Sequence, residues 1–230
     1  MVRTVGIMRG CTNMIIKTSH ICITDFEATC DNVKPKPGEP SLIMEIIEIG
    51  SVMVDISSLE PVSEFQSFIK PCHSKELTPF CMGLTSIKQA DVDGAPGFPT
   101  ALDSWAKWAD TITTRGEILF SSWGLYDYKQ LLKDCTCHGV AFPWRRDHMN
   151  LKEYIGTKMG WSKRGCGMGK AINRLGMKFD GVHHRGIDDA KMAAKILARV
   201  GYKPSEMGDS YRATTHDVMR VYGNKHGGVS

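Results

Sequence analysis

No apolar run in this 230-residue chain approaches the ~18 to 20 residues that a membrane-crossing helix needs, which excludes a helical membrane protein as the first reading. The segment Met1 to Lys17 likewise lacks an apolar stretch followed by a small-residue cleavage site, so export is not expected. None of the eight cysteines, at positions 11, 22, 30, 72, 81, 135, 137 and 166, forms a Cys-x-x-Cys pair. Cys22, Cys30 and Cys81 lie in apolar surroundings, which suits reduced thiols in an intracellular compartment better than a disulfide framework; the cytoplasm is expected, with the nucleus as the second choice. Cys135-x-Cys137-His138 holds half the donors of a structural zinc site, and with no second half nearby zinc is not expected there. The alternating Gly165, Gly167 and Gly169 lack both a Gly-Lys-Ser/Thr ending and a preceding strand, so a mobile loop is expected rather than a phosphate loop. Acidic residues are scarce in one third of the chain: residues 141–204 hold 14 Lys and Arg against 5 Asp and Glu, whereas residues 1–140 hold 12 against 17. That asymmetry is either a solvated lysine-rich face or an electrostatic track for a polyanion.

What is present is ordinary for a globular protein, with 42% hydrophobic and 23% charged residues. The length suits one α/β domain, expected over residues 18–204, with an N-terminal extension at 1–17 and a polar C-terminal tail at 205–230. Strands are expected at 20–25, 43–55 and 65–69, the first three forming an antiparallel meander. Helical spacing follows at 84–92 and at 100–108, where Trp105 and Trp108 read as core residues. A strand at 118–122 leads into a helix opening at Tyr126-Asp127, a further strand is expected at 147–151, and helices at 152–159, 170–175 and 186–200 complete the pattern. Strands first and helices interleaved later make a mixed sheet.

The stretch of most chemical interest is His20-Ile-Cys-Ile-Thr-Asp25-Phe26-Glu27-Ala28-Thr29. Residues two apart on a strand face the same way, so Asp25 and Glu27 present their carboxylates together, and a divalent cation is the usual remedy for such repulsion. Alone, the pair reads first as polar residues at a strand-to-loop transition. Two further acids stand where elements begin, Asp127 at a helix start and Asp189 in the last helix. His184 precedes Asp189 by five residues, roughly 140° around a helix, so the two cannot share a helical face and His184 is expected on the loop before it. Asp188 lies about 100° from Asp189 around the same helix and is expected to cap or to face solvent.

Three motifs, Asp25-Phe-Glu27-Ala-Thr, Trp-Gly-x-Tyr126-Asp127-Tyr-Lys and His184-Arg-Gly-Ile-Asp-Asp189-Ala, resemble in the same order those of the DEDDh 3′→5′ exonucleases. With Met44-Glu-Ile-Ile-Glu-Ile-Gly and Phe80-Cys-Met-Gly-Leu-Thr, the chain looks most like the branch of histone-mRNA 3′-end exonucleases and KapD-like proteins, over about residues 18–200. Arg185 stands where the DEDDy branch carries tyrosine, and of the two histidines only His184 has the DEDDh spacing. The resemblance implies a ribonuclease H-like fold, a five-stranded mixed sheet flanked by helices. It also implies that Asp25, Glu27, Asp127 and Asp189 bind two Mg²⁺ or Mn²⁺ ions and that His184 is the general base. The terminal nucleotide would then lie against Phe26, Ala28, Phe80 and Tyr126, each of which reads alternatively as core packing. The expected partner is the 3′ end of single-stranded RNA or DNA, without a membrane, and the expected products are nucleoside 5′-monophosphates. A DNA proofreading or repair enzyme with the same site, and a non-catalytic nucleic-acid-binding module, are the alternatives.

Overall fold

Isoleucines at 21 and 23 alternate with Cys22 and, further on, Phe26, which gives the strand His20–Ala28 (β1) two apolar faces and a central place in the sheet. The computed structural model describes residues 18–38, 41–144 and 147–206; the expected extension at 1–17 and the expected tail beyond Glu206 lie outside the described residues. The other strands are Ile46–Asp55 (β2), Pro61–Phe68 (β3), Ile118–Ser122 (β4) and His148–Asn150 (β5). They form one sheet in the order β3-β2-β1-β4-β5, with β1 to β3 antiparallel and β4 and β5 parallel to β1. The helices are Pro79–Thr85 (α1), Gln89–Asp93 (α2), Phe98–Asp110 (α3), Tyr126–Cys137 (α4), Leu151–Lys158 (α5), Met168–Arg174 (α6) and Gly186–Val200 (α7).

Residues of α5, α6 and α7 pack on the sheet face carrying Ile21, Ile23, Val52 and Val54, while residues of α3 and α4 cover the face carrying Cys22, Phe26, Met53 and Phe120. A third cluster joins Ile47 to Cys81 of α1 and Val92 of α2. Trp105 is fully buried, as its helical spacing predicts.

Three local expectations are corrected. Strand β1 does not stop at Asp25: its pairing with β4 ends at Ile23–Ser121, but β2 continues alongside and pairs Asp25 with Gly50 and Glu27 with Glu48. The single helix expected at 84–92 is two, because Ser86 takes a left-handed backbone (φ 61°) that closes α1 before α2 starts. The glycine-rich segment at 160–169 is a loop anchored at its middle rather than free throughout: a Cβ on Gly165 would lie 1.9 Å from the Lys152 carbonyl oxygen, and Trp123 Nε1 donates to the Cys166 carbonyl at 3.1 Å.

One close approach sets the relation of α7 to the sheet. A Cβ on Gly50 of β2 would lie 2.0 Å from the Gly186 carbonyl carbon, and a Cβ on Gly186 would lie 2.7 Å from the Asp25 carbonyl oxygen. Backbone therefore meets backbone where the first turn of α7 crosses β2 and β1, as only paired glycines allow. Gly50→Ala is expected to destabilise the protein by about 2 to 3 kcal/mol or more in chemical denaturation, the scale of overpacking a rigid contact. Gly169→Ala, where the added methyl meets open space, is expected to stay within about 1 kcal/mol of the parent. Equal stability of the two variants would remove this contact as the constraint on α7.

Candidate active site

The alternation of β1 places Asp25 and Glu27 toward α7 and the Phe26 ring toward α3 and α4. Beyond Ile23 the strand has lost β4 as a neighbour, and the Phe26 N–H finds its acceptor in a side chain instead, donating to Asp127 Oδ1 at 3.0 Å. Asp127 reaches that point because β4 ends in a tight turn through Gly124 (φ 114°) and α4 starts at once, with Asp127 in its first turn, where the helix dipole favours a carboxylate. The Ser122 hydroxyl, which donates to the Gly124 carbonyl oxygen at 3.0 Å and lies 2.9 Å from His148 Nε2, also favours the charged form of Asp127.

Asp189 enters from the opposite direction, on the first turn of α7. Its Oδ2 accepts the His184 N–H at 2.9 Å, and His183 Nδ1 lies 4.0 Å from its Oδ1. His184 is exposed, sits before the helix as its spacing requires, and has a left-handed backbone (φ 60°) that costs about 1 kcal/mol or more for a residue with a side chain. A ring nitrogen of His184 and carboxylate oxygens of Glu27 and Asp189 lie within 4.8 Å of one another. His183, by contrast, stacks on Phe179 at 3.7 Å between ring centroids, and Asp188 turns away to accept the Val182 N–H at 2.9 Å, tying the preceding loop to the helix instead of capping it.

Two residues that the motif spacing did not single out hold this arrangement in place. Glu48, fully buried directly across from Glu27, accepts from Arg185 Nε and Nη2, both at 3.3 Å, from the Gly186 N–H at 3.1 Å and from the Gln66 amide. The Arg185 guanidinium also lies over the Phe68 ring, 5.1 Å from its centroid. A charged residue at a strand-centre position between isoleucines was the available signal for Glu48, since a buried acid needs partners.

Electrostatically the cluster is short of positive charge. Burial first, and then Asp127, Glu27, Asp189 and Glu48, hold Asp25 well above the ordinary carboxylate range. Burial followed by Glu48, Asp189 and Asp127 pushes Glu27 up to about 9, and Arg185, which opposes this, already has its guanidinium on Glu48. Burial also raises Asp127 and Asp189, against the hydrogen bonds that each accepts. Four carboxylates all raised above their ordinary range, by burial and, for Asp25 and Glu27, by one another, are a donor set that fits hard divalent cations.

The proposed nucleotide contacts divide. Phe80, on the first turn of α1, and Tyr126, at the start of α4, are 37% and 49% exposed, so their rings can be reached by a ligand. The Phe26 ring is 3% exposed, 5.7 Å edge-on from Trp105 and stacked 6.5 Å from Phe120, so it is a core residue and cannot stack on a base. Ala28 is also buried, its carbonyl accepting from Cys81 Sγ at 3.7 Å. The correction for Phe26 follows from the alternation that aims Asp25 and Glu27 at the cleft.

Residues 22–197 match the profile of the Exonuclease (RNase_T) family. The chain is 31% identical over 185 residues to 3'-5' exoribonuclease 1 of Rattus norvegicus, covering 79% of this chain and 52% of that one. Against ERI1 exoribonuclease 3 of Mus musculus it is 32% identical over 192 residues, 80% and 54% of the respective lengths. It thus spans about half the length of the curated relatives it matches. The solved nuclease domain of 3'hExo, a DEDDh family member bound to rAMP, superposes with a TM-score of 0.72 at 31% identity, over 79% of this chain and 91% of that domain.

The raised carboxylates make a pH prediction. Between the ordinary Glu value of 4.5 and about 9, folded Glu27 keeps a proton that the unfolded chain has lost, so stability present at low pH is lost as pH rises through that window. In EDTA the melting temperature is therefore expected to fall more steeply with pH for the parent than for Glu27→Gln. Excess Mg²⁺ is expected to remove the difference; identical slopes for both proteins in EDTA would refute the charge imbalance.

Proposed function

The chain belongs to the Exonuclease (RNase_T) family, and from that membership we propose that it is a 3′→5′ exonuclease that releases nucleoside 5′-monophosphates from the 3′ end of single-stranded RNA. The observation that carries this reading is the convergence of Asp25, Glu27, Asp127 and Asp189, from three separate elements, beside the exposed His184. RNA is the proposed substrate because relatives of 31% and 32% identity are exoribonucleases, and because the domain of comparable fold was solved with a ribonucleotide bound. Residues 18–204 form the proposed catalytic domain.

Two Mg²⁺ or Mn²⁺ ions held by the four carboxylates would supply positive charge beside the scissile phosphate, and so stabilise both the entering and the departing oxygen. The protein's own part is positional. Asp127 is fixed by the Phe26 N–H and Asp189 by the His184 N–H, so neither carboxylate has to be ordered when substrate arrives. His184 takes the proton of the attacking water, whose oxygen bonds to phosphorus as the bond to the 3′ oxygen of the penultimate nucleotide breaks. Phe80 and Tyr126 offer faces for the terminal base, and stacking of this kind is largely indifferent to sequence. Exposed Lys163, Arg164, Lys170 and Lys178, in the basic third of the chain, form the proposed phosphate track for the upstream strand.

Asp25→Asn and Asp189→Asn are each expected to abolish Mg²⁺-dependent nucleotide release from 5′-labelled RNA while the circular dichroism spectrum stays unchanged. His184→Ala is expected to lower turnover by about 10² to 10⁴-fold, the usual worth of a positioned base, with a much smaller change in the Mg²⁺ concentration required. Full activity of either acid variant, or in excess EDTA, would defeat the proposal. Binding of RNA to the Asp25→Asn protein is expected to weaken with salt, and replacing Lys163, Arg164 and Lys170 by Ala to flatten the log–log slope by about 0.7 per lost contact. A slope unchanged in the triple variant would take the track off this surface.

A further inference from the structure

The geometry points to a second metal site, for a zinc-class divalent cation, formed by Glu45, Cys72 and His138 away from the carboxylate cluster. These residues are distant in sequence: Glu45 immediately precedes β2, Cys72 lies in the segment after β3, and His138 caps the C-terminus of α4. One donor atom from each, a carboxylate oxygen, a thiol sulfur and a ring nitrogen, all lie within 4.8 Å of one another. Asp127 and His138 stand at opposite ends of α4, about 16 Å apart along its axis, so this group is separate from the catalytic acids.

Each donor is already oriented. The buried Glu45 carboxylate accepts the N–H groups of Cys72 at 2.9 Å, His73 at 2.8 Å and Ser74 at 2.9 Å, the outer-sphere support typical of ligating carboxylates. Cys72 Sγ donates its proton to Glu45 Oε1 at 3.0 Å, so the thiol hydrogen lies between the two atoms that a cation would bridge. The His138 ring is held by stacking on Phe98, 5.1 Å between centroids. Binding would exchange the Cys72 thiol proton for the cation: the S–H bond breaks, the sulfur–metal bond forms, and the proton leaves to solvent. Thiolate and carboxylate would then balance the divalent charge, with neutral imidazole as third ligand and water as fourth.

Tetrahedral zinc holds its ligands about 3.3 to 3.8 Å apart, so a closure of at most about 1 Å would suffice, and exposed Cys72 can supply it by side-chain rotation. The sulfur and nitrogen donors select against Mg²⁺ and Ca²⁺. His138 thereby finds its partners across the fold and not in Cys135-x-Cys137, since Cys135 is buried in the core beneath α4. Such an ion would tie the Cys72–Ser74 segment and the start of β2 to the end of α4.

The test is titration of the full chain with Co²⁺ in saturating Mg²⁺, followed by displacement with Zn²⁺. The expected result is one equivalent of tetrahedral Co²⁺ with a thiolate charge-transfer band, lost in Cys72→Ser and weakened at least about tenfold in affinity in His138→Gln. Both variants are expected to keep the parent's Mg²⁺-dependent nucleotide release. Retention of the band in Cys72→Ser, loss of it in Asp25→Asn, or failure of the parent to bind Co²⁺ at micromolar protein concentration would each overturn the site.

Discussion

The backbone contact between Gly50 and Gly186 is the constraint from which the rest of the candidate active site follows. Asp25 and Glu27 belong to the sheet and Asp189 and His184 to the entry of α7, so they meet only if the first turn of that helix lies directly on β1 and β2. Any side chain at either glycine would lift the helix away, and Asp189 with it. Glu48 fastens the same turn from below, through the Gly186 N–H and the Arg185 fork. Steric permission and electrostatic anchoring thus act on the same few atoms.

The buried acids of this protein fall into two kinds, and the difference lies in what surrounds them. Glu45 gathers the Cys72 thiol and three backbone N–H donors, and together these outweigh its burial enough to hold it below the ordinary carboxylate range. Glu48 has a guanidinium, an amide and a backbone N–H. Glu27 is instead surrounded by Glu48, Asp189 and Asp127, and Asp25 by the same acids, so burial and repulsion act in one direction. A buried carboxylate with donors is a structural fastening, whereas a set of them facing one another awaits an external charge. That distinction sets Asp25 and Glu27 apart from Glu48 without reference to any motif.

His148 shows how far the support extends. Burial pushes it down to about 3, so it is a neutral ring stacked on Tyr128, 4.8 Å between centroids, and within 2.9 Å of the Ser122 hydroxyl that also reaches Asp127. The aromatic core on that face of the sheet, built around Phe26, Trp105 and Phe120, therefore adjoins a polar chain leading to the cleft.

By itself the amino-acid sequence determined the fold class, the antiparallel opening of the sheet and the final helix at Gly186–Val200, and it picked out the acids and histidine that the fold brings together, because hydrophobic period and motif spacing are local properties. It also placed His184 off the helix, since a five-residue interval cannot return to one face. The extent of β1 was decided only in three dimensions, where β2 goes on pairing after β4 has ended. So was the fate of Phe26, turned into the core by the alternation that serves its neighbours, and the role of Glu48, which means nothing until α7 lies over it. The Gly165 segment belongs here too, since Gly165 packs on the backbone of Lys152, a residue of another element. Spacing along a chain tells which residues can face the same way; which atoms they then meet depends on elements that approach from elsewhere, and only the packed structure contains them.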